Sequence, residues 1–202
     1  MFDTKIKSKF WIFIIGAFWF LVPYEITNHF LFFVPHQLPL ILKEATIPFI
    51  SWSVWVYLSV FFEIIIGLLI VPRDILDRVF KVAILLVTLH ILIFIFFPTI
   101  YPRSNFVPQG INSFGYYLIK ATDTPANCFP SEHVSVALFA AFVLLKTNKK
   151  IGTIFLVWAV LISISTLTTK QHYMLDIISA AVLAAVAYWF VFRGETKGTE
   201  RV

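Results

Sequence analysis

Six long apolar runs, each closed by proline or charge, constrain this chain more than any other feature. They cover about 10–27, 49–71, 79–97, 131–145, 151–167 and 172–192. Wound as helices, runs of this length reach across the hydrocarbon core of a bilayer, where each backbone N–H and C=O has to be paired inside its own segment. The expected fold is therefore all-α: one integral membrane domain over 1–202, built as a six-helix bundle. Composition agrees, because the chain is 59% hydrophobic and 13% charged, whereas soluble domains are about half apolar and a quarter charged. The 23 Phe and 6 Trp suit lipid-facing surfaces and interfacial belts. The net charge of +5 does not point to nucleic acid. Cys128 is the single cysteine, so no disulfide forms within the chain.

The segments between the runs set the topology. Lys5, Lys7 and Lys9 precede the first run, which lacks a small-residue cleavage site and reads as an uncleaved span. The stretch 28–48 carries Pro35, Pro39 and Pro48; each removes a backbone donor, so an interfacial segment is expected here and not a regular span. A long polar loop is expected over 99–130. With six spans, both termini share a side. That side holds Lys5, Lys7, Lys9, Arg73, Arg78, Lys81, Lys146, Lys149, Lys150, Arg193, Lys197 and Arg201, twelve cations against Lys43, Arg103, Lys120 and Lys170 on the other. Basic loops stay cytoplasmic. The termini are thus expected in the cytoplasm, and Arg103, His133 and His172 on the periplasmic, extracellular or lumenal face.

Three groups of residues on that face can do chemistry. The first is Pro130-Ser131-Glu132-His133, where a loop enters the fourth run. Ser131 is a favoured N-cap, and the free N–H groups of a helix start bind anions such as phosphate. An imidazole there can give a proton to a leaving oxygen. The bland alternative, a capped helix with an interfacial histidine, weighs equally for this stretch alone. The second group is His172 and Asp176, spaced i, i+4, so that on a helix the carboxylate reaches the imidazole, sets its tautomer and makes the other nitrogen a better base or nucleophile. An aspartate one turn inside a span is costly and usually functional. The third is cationic: Arg103 suits a bidentate grip on phosphate, and Lys170 brings a second positive charge.

Other polar residues have plainer readings. Two histidines and an aspartate are also a metal set. The sequence has no cysteine cluster, no His-Glu-x-x-His and no aspartate-rich loop, so no metal and no cofactor are expected. Glu63 and His90 lie at similar depth and are expected to pair in the bundle. His29 and His36 read as interfacial, and Lys120 and Asp123 as ordinary loop charges.

Together these residues resemble the type 2 phosphatidic acid phosphatase superfamily, whose motifs are Lys-x6-Arg-Pro, Pro-Ser-x-His and Ser-Arg-x5-His-x3-Asp. Pro130-Ser131-Glu132-His133 matches the second in full. Ser165-Thr166, five residues, then His172 and Asp176 match the third, with Thr166 in place of Arg. Arg103 falls where the first motif has its Arg, with Phe96 in place of Lys and Ser104 in place of Pro. The resemblance implies a metal-independent mechanism: His172 attacks phosphorus, Asp176 orients it, His133 protonates the leaving oxygen, and Arg103 and Ser131 hold phosphate oxygens, with Lys170 standing in for a lost cation. The run from Thr169 to Tyr173, with Ile47-Pro48-Phe49 and Trp52, is also similar to the branch containing inositol-phosphorylceramide and sphingomyelin synthases.

The expectation is therefore a membrane lipid phosphatase acting on a phospholipid or isoprenoid phosphate. Its runner-up is a lipid head-group phosphotransferase of the same fold. A third reading, from another class, is a non-enzymatic or weakened relative; a transporter places its charges near the midplane, whereas here they gather at one face. Neither the lipid nor the oligomeric state is legible.

Overall fold

The computed structural model describes residues 9–41, 44–102 and 108–194. Arg103 lies outside the described residues, as do Lys43 and the terminal cations Lys5, Lys7, Lys197 and Arg201. Apart from one isolated bridge between His36 and Thr99, the regular structure of the described residues is helical: α1 (Lys9–His29), a 3-10 turn (Glu44–Thr46), α2 (Ser53–Leu58), α3 (Val60–Ile70), α4 (Arg73–Phe96), α5 (Ile111–Thr122), α6 (Glu132–Thr147), α7 (Lys149–Thr168) and α8 (Met174–Phe192). Among the described residues, five stretches are long and apolar enough to cross a membrane: α1, α2 with α3, α4, α7 and α8. The protein is a multi-pass membrane protein. The sixth expected run is α6, whose 16 residues give a helix of about 24 Å.

Helix α6 is the axis of the bundle and packs most extensively on α7 and α8, with α3 and α4 on its other sides. Small side chains allow this. Ala137 and Ala141 on α6, and Ala180 and Ala184 on α8, are fully buried, and small residues let helices approach closely where lipid supplies no hydrophobic drive. The α6–α7 connection is tighter still. A Cβ on Gly152 would run into the backbone of Leu144 and Leu145, so only glycine fits there. Asn148 turns the chain, its side chain accepting from the Ile151 amide at 3.1 Å.

The basic residues expected on one side act as helix ends require. Lys9 donates to the carbonyls of Leu69 at 2.6 Å and Val71 at 3.2 Å where α3 stops. Arg78 donates to Val191 O at 2.9 Å at the end of α8. Cations at helix C-termini complement the dipole and the unpaired carbonyls.

Three expectations are corrected. The loop 99–130 contains α5, whose Gly115, Tyr116 and Ile119 are buried while Ile111, Phe114, Tyr117 and Leu118 are exposed; its Gly and Asn content hid an apolar face that packs on α2. The second run breaks at Ser59, which caps α2 and accepts the Trp158 indole N–H at 2.8 Å. Glu63 and His90 do not pair. His90 donates through Nδ1 to Leu86 O at 2.8 Å, and its Nε2 meets Ser135 Oγ on α6 at 2.9 Å, so α6, lying between, supplies the partner. Both Glu63 carboxylate oxygens are buried with no hydrogen-bond partner among the described residues.

Candidate active site

The starts of α6 and α8 meet at one end of the bundle. Ser131 N–H donates to the backbone carbonyl of Asp176 at 3.2 Å, which docks one helix start on the other. Ser131 is the N-cap of α6, in extended conformation, with its hydroxyl 3.5 Å from the Val134 amide. Its side chain turns toward the second helix, and Oγ lies 3.2 Å from His172 Nε2.

His172 stands two residues before α8, in the turn from α7, and not on the helix. The i, i+4 spacing still delivers the pair because Asp176 occupies the third position of α8 and folds back: its Oδ2 accepts from Tyr173 N–H at 2.8 Å and from His172 Nδ1–H at 3.1 Å. Nδ1 also lies 2.9 Å from the carbonyl of Cys128. A carbonyl can only accept, so Nδ1 carries a proton, and in the neutral ring the lone pair is on Nε2. Nε2 therefore faces Ser131 and the amide end of α6, where an anion would sit. His172 is 5% exposed and Asp176 and Ser131 are fully buried, so the pair is shielded from water's competition.

His133, in the first turn of α6, lies with its ring 6.4 Å from that of His172. Phe20, Tyr24, Tyr57 and Phe61 surround it at 5.1 to 6.4 Å between ring centroids. Asp123 organises this cage. It accepts from Tyr24 OH at 2.9 Å, from Asn28 at 3.1 Å and from Tyr57 OH at 3.4 Å, so it is no ordinary loop charge. Below His133, Phe20 and Phe61 also line a wholly apolar cleft of about 260 Å³ between α1, α3, α4 and α6, bounded at its far end by Val71 and Leu76. Sequence reasoning missed the cage and the cleft, because both are assembled from helices distant in the chain.

The cations divide. Arg103 lies outside the described residues, but the loop leading to it is anchored: Tyr173 OH donates to Ile100 O at 3.1 Å, Tyr101 N–H to Pro125 O at 3.0 Å, and Phe129 N–H to Thr99 Oγ1 at 2.7 Å. Burial pushes the Tyr101 phenol above its ordinary range, and the charge of Glu44 adds to this. Lys170 donates to Glu44 O at 3.1 Å. Burial lowers its pKa, with the charge of Glu44 acting the other way. It sits at φ 57 in a Schellman turn, with its amide on Leu167 O at 3.2 Å and that of Gln171 on Thr166 O at 2.9 Å. Glycine is usual at that position, and the left-handed backbone costs a lysine about 1–2 kcal/mol. At the two positions where a motif cation is absent, Phe96 is 68% exposed on the flank of α4, and Thr166 is buried with its hydroxyl on Ser163 O at 2.7 Å.

Cys128 Sγ, His172 and Asp176 offer donor atoms within 4.8 Å of one another. They suit a metal poorly. The Nδ1 proton of His172 points at Asp176 Oδ2, and the Cys128 thiol donates to Pro125 O at 3.1 Å, so two of the three carry a proton where a metal would need a lone pair.

A multi-pass helical membrane protein in which a carboxylate-oriented histidine faces a capped helix start is the class these features define. The chain belongs to the PAP2 superfamily, whose family model matches residues 25–190. It is similar to the bacitracin transport permease protein BcrC of Bacillus licheniformis, with 35% identity over 66 residues, covering 33% of this chain and 32% of the relative. The match therefore spans about a third of that protein's length. No solved structure matches the chain.

Proposed function

We propose that this protein is a lipid phosphate phosphatase working through a phospho-histidine, as one domain of six spans with cytoplasmic termini and a site facing the periplasm, extracellular space or lumen. The observation that carries the reading is His172 held with its proton on Nδ1 and its Nε2 lone pair aimed at the start of α6. Nε2 attacks phosphorus as the bond to the lipid oxygen breaks, and His133 gives that oxygen its proton. Water then attacks the phospho-histidine, His133 takes its proton, and phosphate leaves. The α6 amides, Ser131 and Arg103 hold the phosphate oxygens through both steps; Lys170 adds positive charge from its place on the Glu44 carbonyl. The orientation rests on the lysines and arginines gathered at the opposite end of the bundle.

Lipid as the substrate class is supported by the apolar cleft that begins at Phe20 and Phe61 against His133. A phospholipid or isoprenoid phosphate puts its head at the two histidines and its chain along the cleft. The second reading, phosphotransfer to an alcohol in place of water, is favoured by Phe96 and Thr166 standing where the family motifs carry cations. The transport role in the name of BcrC stays with that relative; here Ser131, His133, His172 and Asp176 gather at one end of the bundle, whereas a transporter places its site near the middle.

The test supplies purified protein in nanodiscs with a panel of lipid phosphates, with and without alcohol acceptors and with EDTA. Free phosphate, insensitive to EDTA and abolished in His172→Ala and His133→Ala, is expected. A new lipid product in place of phosphate selects the transferase. Full activity in His172→Ala would sink the mechanism.

A further inference from the structure

The turn that presents His172 is held from outside the motifs. Glu44 is the one carboxylate in the proline-rich stretch 28–48, and it is 2% exposed. Its Oε1 accepts from Met174 N–H at 2.9 Å, a helix-start amide of α8 that has no partner within the helix. Its backbone carbonyl accepts from Lys170 Nζ at 3.1 Å. Lys170 and Met174 are the second residues on either side of His172, so one residue grips the turn at both ends.

We infer that Glu44 is a positioning residue for His172. Two independent features point this way. The chain keeps a lysine at φ 57, where glycine would be easier, and the amine of that lysine is used on Glu44. The Glu44 segment is itself fixed to the same region, with Ile47 N–H on Glu44 O at 3.1 Å and Ile50 N–H on Thr168 O, at the end of α7, at 3.0 Å. The hydrogen bonds of His172 to Asp176 and to Cys128 both run through Nδ1, so they set the ring's tilt only once the backbone on either side is stationary. Glu44 supplies that. Its second oxygen, Oε2, has no hydrogen-bond partner among the described residues, so a glutamine at 44 keeps the acceptor facing Met174, puts its NH2 where Oε2 lies without displacing a hydrogen bond, and removes the charge.

The inference rests on the phosphatase reading for its kinetic arm and on none for its spectroscopic arm. Glu44→Ala, Glu44→Gln and Glu44→Asp are prepared as full chains in nanodiscs. Each is assayed with a short-chain phosphatidic acid and examined by 15N NMR of the labelled histidines. Glu44→Ala is expected to lower kcat about 10- to 100-fold, as small misplacements of a reacting group do, with KM within about threefold. The His172 signal should pass from one Nδ1–H tautomer to a mixture. Glu44→Gln should stay within about threefold of wild type, a rescue by the retained acceptor. If Glu44→Ala does not fold, Glu44→Asp decides, because its shorter side chain cannot reach Met174 while its carbonyl still meets Lys170; a lowered kcat is expected. Wild-type kcat and an unchanged His172 spectrum in a folded Ala or Asp variant overturn the inference. If wild type itself releases no phosphate, the phosphatase reading fails, and the His172 spectrum alone decides the role of Glu44.

Discussion

One carboxylate, Asp176, joins the two halves of the site. Its Oδ2 serves the His172 imidazole and the Tyr173 amide, and its carbonyl receives Ser131 N–H. Asparagine keeps the size but presents either an oxygen or an NH2 group to Nδ1. Tyr173 N–H holds the amide oxygen inward, so what is lost is the negative charge that stabilises the positive ring formed when Nε2 bonds phosphorus. Asp176→Asn is therefore expected to lower kcat by about three to four orders of magnitude with little change in melting temperature, read by steady-state kinetics beside thermal unfolding. This pair was legible in the sequence because four residues of spacing at a helix start leave few other geometries. Glu44 and Asp123 were not legible, because their partners lie far along the chain: Lys170 and Met174 for Glu44, Tyr24 and Tyr57 for Asp123.

At the scale of elements, the apolar runs named the helices well, and departures occur where polar residues are satisfied by neighbours. The second run breaks at Ser59 because Trp158 and Val56 O occupy its hydroxyl. Helix α5 escaped notice because only one of its faces is buried. Its Gly115 meets Val54 and Trp55, a contact invisible without α2. The α6–α7 hairpin holds α6 in place, and Gly152 makes it possible. Gly152→Ala puts a methyl into a backbone that has no room to move and is expected to cost about 1–3 kcal/mol or more, seen as a lowered thermal midpoint in detergent. Gly194→Ala, which meets nothing within 4 Å, is the control and should leave the midpoint unchanged.

For the whole molecule, the cleft between α1, α3, α4 and α6 ties membrane burial to the site. Along α4, from Leu76 to Val87, its lining runs about 16 Å by helix rise, and two lining residues, Phe20 and Phe61, meet the His133 ring. If the substrate's chain lies there, kcat/KM for monomeric alkyl phosphates should rise by about two- to fourfold per methylene, since each buried CH2 contributes up to about 0.8 kcal/mol. It should then flatten once the cleft is full. A series flat from the shortest member would place the chain elsewhere.

The sequence by itself determined that the chain is helical and membrane-embedded, and that Ser131, His133 and Asp176 sit at helix starts with His172 just before one. These follow from properties local in the chain: run length, proline and charge at the run ends, and spacing within one or two helical turns. Only the tertiary structure decided that the starts of α6 and α8 meet, that Nδ1 of His172 faces both Asp176 and the Cys128 carbonyl, that His133 sits in an aromatic cage above a cleft, and that Glu44 grips the turn. Those depend on helices packing across 40 to 130 residues of chain, where close approach is set by small side chains such as Ala137, Ala180 and Gly152, which carry no chemical signature of what they bring together.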